Sequence, residues 1–138
     1  MHSRHEKNGI RLPRLQHVSL SIQDGSQEHI RAFYGGLLGF REKAVPAILA
    51  PKGLLWFDAG DGEMELHFIP DTHLQGPEES RHFCLEVDNL DLYRQKLEQA
   101  GYPIIEADPL PNRPRFFTLD PSGNHVELTT IIDDYRNS

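Results

Sequence analysis

The sequence predicts an α+β fold of two tandem βαβββ modules, their strands forming a cupped, mixed sheet around a central site. Three observations carry this expectation. A strand-like stretch with histidine on its polar side opens each half: Leu15–Ile22 holds His17, and His82–Val87 holds His82 65 residues later. Each opening strand is followed by a helix-period stretch stopped by glycine, Gly39 in one half and Gly101 in the other, 62 residues apart. At the same spacing Asp58 repeats as Asp120, and Glu65-Leu66 as Glu127-Leu128. Self-similarity at a fixed period decides the fold before any single element does.

Residues 1–13 are polar and unpatterned, closed by Pro13, and read as a mobile tail. The first module is expected over 14–70. Val18, Leu20 and Ile22 alternate with His17, Ser19 and Ser21, the period of a half-buried strand. Asp24-Gly25-Ser26 is a turn, with Ser26 an N-cap for a helix carrying Ile30, Phe33, Leu37 and Leu38. Phe40–Val45 reads as a strand, and Pro46–Gly53 as a loop or flap. Leu54–Ala59 and Glu63–Ile69 are strands joined at Gly60-Asp61-Gly62.

A polar linker with Gly76-Pro77 spans 71–80, and the second module is expected over 81–130. Phe83, Leu85 and Val87 face away from His82, Cys84 and Glu86. Asp88 caps a helix carrying Leu90, Tyr93, Leu97 and Ala100, and Tyr102–Glu106 is a strand. After a proline-rich loop over 107–114, Arg115–Leu119 and His125–Thr130 form a hairpin about Asp120-Pro121-Ser122-Gly123-Asn124. Residues 131–138 are a tail.

The composition narrows the functional classes. A formal charge of −7 argues against a nucleic-acid surface, which needs a basic stripe. No apolar run approaches a membrane span, no signal-peptide core follows Met1, and the single Cys84 permits no internal disulfide. A cytoplasmic protein acting on a small molecule is expected, with no membrane or nucleic-acid partner.

Each half places a histidine on its first strand and a carboxylate on its last, all on polar faces. If the concave faces meet, His17, His82, Glu127 and either Glu65 or His67 come together. Two imidazoles with one or two carboxylates suit Fe²⁺, Mn²⁺, Ni²⁺, Co²⁺ or Zn²⁺. The alternative is a solvated polar face, the ordinary state of an antiparallel sheet. Of the paired aromatics Trp56-Phe57 and Phe116-Phe117, one of each builds the core and the other can floor a pocket, with Trp56 and Phe117 the candidates. Arg113 and Arg115, beside the last hairpin, could pair a substrate anion or remain solvated. Cys84 is expected to be a small buried thiol.

Phe33-Tyr34 leading to Leu38-Gly39-Phe40, and the turn Asp120–Asn124 followed by Val126-Glu127-Leu128, carry a resemblance. With His17 and His82, the chain from Leu15 to Thr130 resembles the glyoxalase/bleomycin-resistance/extradiol-dioxygenase (vicinal oxygen chelate) superfamily. The resemblance implies a cupped sheet about a divalent metal that chelates adjacent oxygens of a substrate, often in sites completed across a homodimer. It implies His17, His82 and Glu127 as ligands, the fourth being Glu65 by the repeat or His67 on the same face. It implies lyase, isomerase or dioxygenase chemistry, with Glu127 or Glu65 as the proton-shuttling base. Ser21 and Ile69 stand where bacterial glyoxalase I grips glutathione with arginine and asparagine, which disfavours that substrate. A metal-free protein that sequesters a small molecule or antibiotic is the competing expectation.

Overall fold

The computed structural model describes residues 6–7, 10–11, 13–74 and 81–134. Its elements run β1 (Glu6–Lys7), β2 (Ile10–Arg11), β3 (His17–Gln23), α1 (Gln27–Ile30, continuing as a π-helix over Arg31–Leu37), β4 (Glu42–Lys43), a 3₁₀-helix (Ala47–Lys52), β5 (Leu55–Ala59), β6 (Met64–Asp71), β7 (His82–Glu86), α2 (Leu90–Gln99), β8 (Ile105–Glu106), β9 (Arg115–Leu119) and β10 (His125–Thr129). Two four-stranded sheets, β3-β6-β5-β4 and β7-β10-β9-β8, repeat one topology. In each, the first and last strands pair in parallel and the other pairs are antiparallel. The expected two-module α+β fold is therefore present.

The sheets differ from the expectation mainly in the trimming of their outer strands. β4 and β8 hold two residues each, and the sequence signal over 40–45 and 102–106 outruns the ladder. The span read as a flap closes instead into a 3₁₀-helix, ended by Gly53 at φ 70. In the tail, β1 and β2 pair with each other antiparallel. The Gly76-Pro77 linker centre and residues 135–138 lie outside the described residues.

The two helix starts also depart from the reading. Ser26 gives no side-chain cap; its hydroxyl donates back to the Gln23 carbonyl at 2.6 Å. Asn89, not Asp88, caps α2, its side chain accepting from the Leu92 N–H at 3.1 Å. Gly35-Gly36 weaken the α-helix after Phe33-Tyr34, and the turn widens, the Leu38 N–H reaching the Phe33 carbonyl at 3.0 Å. Both Phe33 and Tyr34 are fully buried.

The modules share one apolar core. Phe33 packs edge-on to Tyr102 at 4.9 Å, and Tyr34 lies against Phe68 of its own module. The Tyr34 hydroxyl donates to Asp120 Oδ2 at 2.7 Å, across the module boundary. Asp120 also accepts from the backbone N–H groups of Ser122 and Asn124 and from the Asn124 amide. The same turn reaches the outer edge of β3: the Asn124 amide donates to the Ser21 carbonyl at 3.0 Å, and the Gln23 N–H donates to Ser122 Oγ at 2.9 Å. Asp120–Asn124 thus shapes a hairpin and fastens the second module to the first.

Candidate functional site

Strand register decides which side chains share a row across each cup face, because cross-strand partners point the same way. In the first sheet one row is Lys43, Trp56, His67 and Ser19, and the next is Asp58, Glu65 and His17. In the second the corresponding rows are Ile105, Phe117, Glu127 and Cys84, then Leu119, His125 and His82. Superposing the rows sets His17 on His82, Trp56 on Phe117, His67 on Glu127 and Glu65 on His125. The repeat read from the sequence aligned Glu65 with Glu127; the register aligns His67 with Glu127 instead.

The second-module face is built around Glu127, buried to 2% exposure. Its Oε1 lies 3.1 Å from His82 Nε2. Its Oε2 accepts from Arg113 Nη2 at 3.0 Å and from Arg115 Nη1 at 3.3 Å. The arginines are therefore anchored, not solvated, with side chains 19% and 18% exposed. Phe117 is buried beneath, edge-on to His82 at 4.9 Å and to His125 at 6.4 Å, while its neighbour Phe116 enters the core.

Cys84, expected buried, is exposed, its Sγ 3.5 Å from Arg113 Nη2. Local desolvation of the sulfur, then the Glu127 carboxylate, push its pKa up, which favours the neutral thiol.

The first-module face carries a stack of three rings. Trp56 lies on His67 at 4.1 Å and 4°, and His67 lies on His17 at 4.1 Å and 17°. Glu65 Oε1 is 2.8 Å from His67 Nε2, and Glu65 Oε2 pairs with Lys43. Lys43 first, and His67 second, hold the Glu65 carboxyl down at about 2, so it is ionised throughout the physiological range. Lys43 and Arg41 also pair with Asp58.

The expected constellation thus forms as two groups, His17, His67 and Glu65 on one sheet and His82 and Glu127 on the other. Among the described residues of one chain, no three His, Cys, Asp or Glu side chains are grouped so as to hold a metal ion. On the second sheet His82 Nε2 and Glu127 Oε1 lie 3.1 Å apart; on the first, His67 Nε2 lies 2.8 Å from Glu65 Oε1 and the His17 ring stacks on His67 at 4.1 Å. Such approaches fit neighbouring ligands of one ion, whose bonds are about 2.0–2.2 Å for imidazole and carboxylate. The donor chemistry therefore fits a metal as two half-sites.

Two further groups escaped the sequence reading. Lys43 belongs to the first cluster, its only signal a cation on a short outer strand. His125 is the register partner of His82, and its buried Nδ1 has no hydrogen-bond partner. A groove of about 400 Å³ between the modules is lined by Ser19, Ser21, Asp71, Arg81, His82 and His125 among others.

Comparison with known proteins gives a consistent picture. The profile of the Glyoxalase/Bleomycin resistance protein/Dioxygenase superfamily matches residues 14–128. A glyoxalase family protein from Bacillus anthracis is 29% identical, with a TM-score of 0.77 over 87% of this chain and 96% of that one. A glyoxalase/dioxygenase from Nostoc punctiforme is 22% identical, with a TM-score of 0.74 over 96% of this chain and 100% of that one. TnmS3, an antibiotic binding protein from Streptomyces sp. CB03234, is 20% identical, with a TM-score of 0.65 over 87% and 97% of the respective chains. The last two likenesses are of fold. No curated protein matches.

Proposed function

The chain belongs to the Glyoxalase/Bleomycin resistance protein/Dioxygenase superfamily, and from that premise we propose that it is a divalent-metal enzyme acting on adjacent oxygens of a small molecule, with each metal site shared between two copies of the chain. His82 and Glu127 of one copy would supply one donor pair. His17 and His67 of the other would supply the second. The observation that carries this reading is the 3.1 Å approach of the partly exposed His82 Nε2 to the buried Glu127 Oε1. The register supports His67 as the fourth ligand, leaving Glu65 behind it as the carboxylate that orients its ring.

A divalent ion bound there supplies Lewis acidity toward substrate oxygens. The chain's own residues supply the rest. Arg113 and Arg115 hold and orient Glu127, Phe117 and Trp56 floor the two faces, and Glu127 would serve as the proton-shuttling base. The test is elemental analysis of protein purified without chelators, beside His17→Ala and His82→Ala. Near one metal per chain in the wild type and its loss in both variants is the expected result. Full metal content in both variants, or none in the wild type after loading with Fe²⁺, Mn²⁺, Ni²⁺, Co²⁺ and Zn²⁺, sinks the proposal.

One observation favours a second reading, a metal-free protein that sequesters a planar compound. The Trp56–His67–His17 stack is a ready-made aromatic wall. Under that reading a flat aromatic ligand binds equally well with and without chelator, and Trp56→Ala abolishes binding.

A further inference from the structure

Among the described residues, the guanidinium of Arg115 is only partly satisfied. Its Nε and Nη2 donate to the main-chain carbonyl of Asp108 at 3.3 and 3.1 Å, a neutral acceptor. Its one carboxylate contact among the described residues, Nη1 to Glu127 Oε2 at 3.3 Å, falls on an oxygen that already accepts from Arg113 at 3.0 Å. The first module is wired differently: Lys43 has Glu65 Oε2, and Arg41 Nη2 has Asp58 Oδ2 at 2.9 Å, so each cation holds a carboxylate oxygen of its own. On the second face one buried carboxylate serves two guanidinium groups, and the weaker share is that of Arg115.

The hydrogen count says what could complete it. A guanidinium has five N–H bonds. Three are used in the contacts above, leaving one hydrogen on Nη1 and one on Nη2 without a partner among the described residues. Nη1 and Nη2 are the pair of nitrogens with which a guanidinium can hold two oxygens of a carboxylate or phosphoryl group. The Asp108 carbonyl fixes one edge of the group, and the Phe117 ring lies 5.8 Å beneath its carbon, so the fork is held in place before a ligand arrives. The side chain keeps 18% of its surface open. A partly buried, half-compensated cation is costly until a counter-charge joins it.

We propose that Arg115 is the anion-recognition residue of the cup, and that the small molecule entering it carries a carboxylate or phosphoryl group seated on the Nη1/Nη2 fork. This rests on the reading of the cup as the ligand site, but not on the metal.

The test uses full-length protein stripped with EDTA and desalted, titrated calorimetrically at low salt with benzoate, phenylphosphonate and uncharged benzamide. One of the anions is expected to bind about tenfold tighter than benzamide, as for a charge-assisted pair. Whichever anion is preferred names the group. Arg115→Gln should abolish the preference, while Arg31→Gln, an exposed control in the first module, should keep it. Should Arg115→Gln fail to fold by urea titration, Arg115→Lys replaces it, keeping the charge and losing the fork, with the preference reduced about threefold or more. Equal binding of all three probes, no binding of either anion at millimolar concentration, or full preference in the Arg115 variant overturns the inference. Metal uptake is measured separately on the same samples. Uptake without anion preference overturns this inference and leaves the metal reading; preference without uptake does the reverse.

Discussion

Glu65 lies between a lysine and a histidine, and those partners make its charge part of the fold's stability. Its carboxyl titrates near 2 in the folded chain, below the ordinary 4.5, chiefly because Lys43 and then His67 hydrogen-bond the ionised form. A lowered folded pKa contributes stability that is complete above the unfolded value and drains away as pH falls toward the folded one. Stability by urea titration should therefore drop between about pH 4.5 and 2, and Glu65→Gln should flatten that segment of the profile. An unchanged slope in the variant would mean that the carboxylate is not held as described. The buried pair Tyr34–Asp120 behaves in the opposite sense. Burial, then Asp120, keeps the Tyr34 phenol well above its usual 10, and burial raises the Asp120 carboxyl. Tyr34→Phe should cost about 1–3 kcal/mol, the range for leaving a buried polar partner short of a bond. It should also remove the last phenol to ionise in a spectrophotometric titration, a readout that simple loss of packing would not produce.

At the scale of the element, the turn Asp120–Asn124 does more than its motif announces. Gly123 sits at φ 84, where an L side chain is strained, so Gly123→Ala should cost about 1–2 kcal/mol by urea denaturation. Asn124→Ala removes bonds to Asp120 and to the Ser21 carbonyl, so hydrogen exchange should quicken on the edge of β3 as well as in the hairpin. Protection lost in the hairpin alone would mean that the turn does not clamp the modules. The strands were legible because alternation and turn residues are local signals: His17, His82 and Glu127 fell on the polar faces where period two put them. The partners of those faces were not legible. The π-helical turn depends on Gly35-Gly36 giving way beneath two buried rings, and the capture of Glu127 by Arg113 and Arg115 depends on a loop returning to the sheet. The matching of Glu65 with Glu127 failed for a related reason. The offset between modules is 65 at the opening histidines but 60 between His67 and Glu127, because the intervening turns differ in length, and a single spacing cannot follow both.

For the whole molecule, the repeat predicted the two-module architecture, yet it led to the expectation of four ligands gathered within one chain. The chain instead keeps its donor pairs on separate sheets, and that separation makes the shared site testable without any substrate. Two defective variants should complement each other. His17→Ala/His67→Ala lacks one half-site and His82→Ala/Glu127→Ala lacks the other, so homodimers of either hold no metal. Mixed in equal amounts and allowed to exchange subunits, they give dimers of which about half are mixed. In a two-fold dimer with shared sites, a mixed dimer pairs its two intact halves at one site and its two defective halves at the other. The mixture should therefore regain about a quarter of the wild-type metal content, rising only after exchange and only at concentrations where the dimer persists. A site contained in one chain gives no recovery at any mixing ratio. That result would refute the shared site even if the wild-type protein proved to be fully metallated.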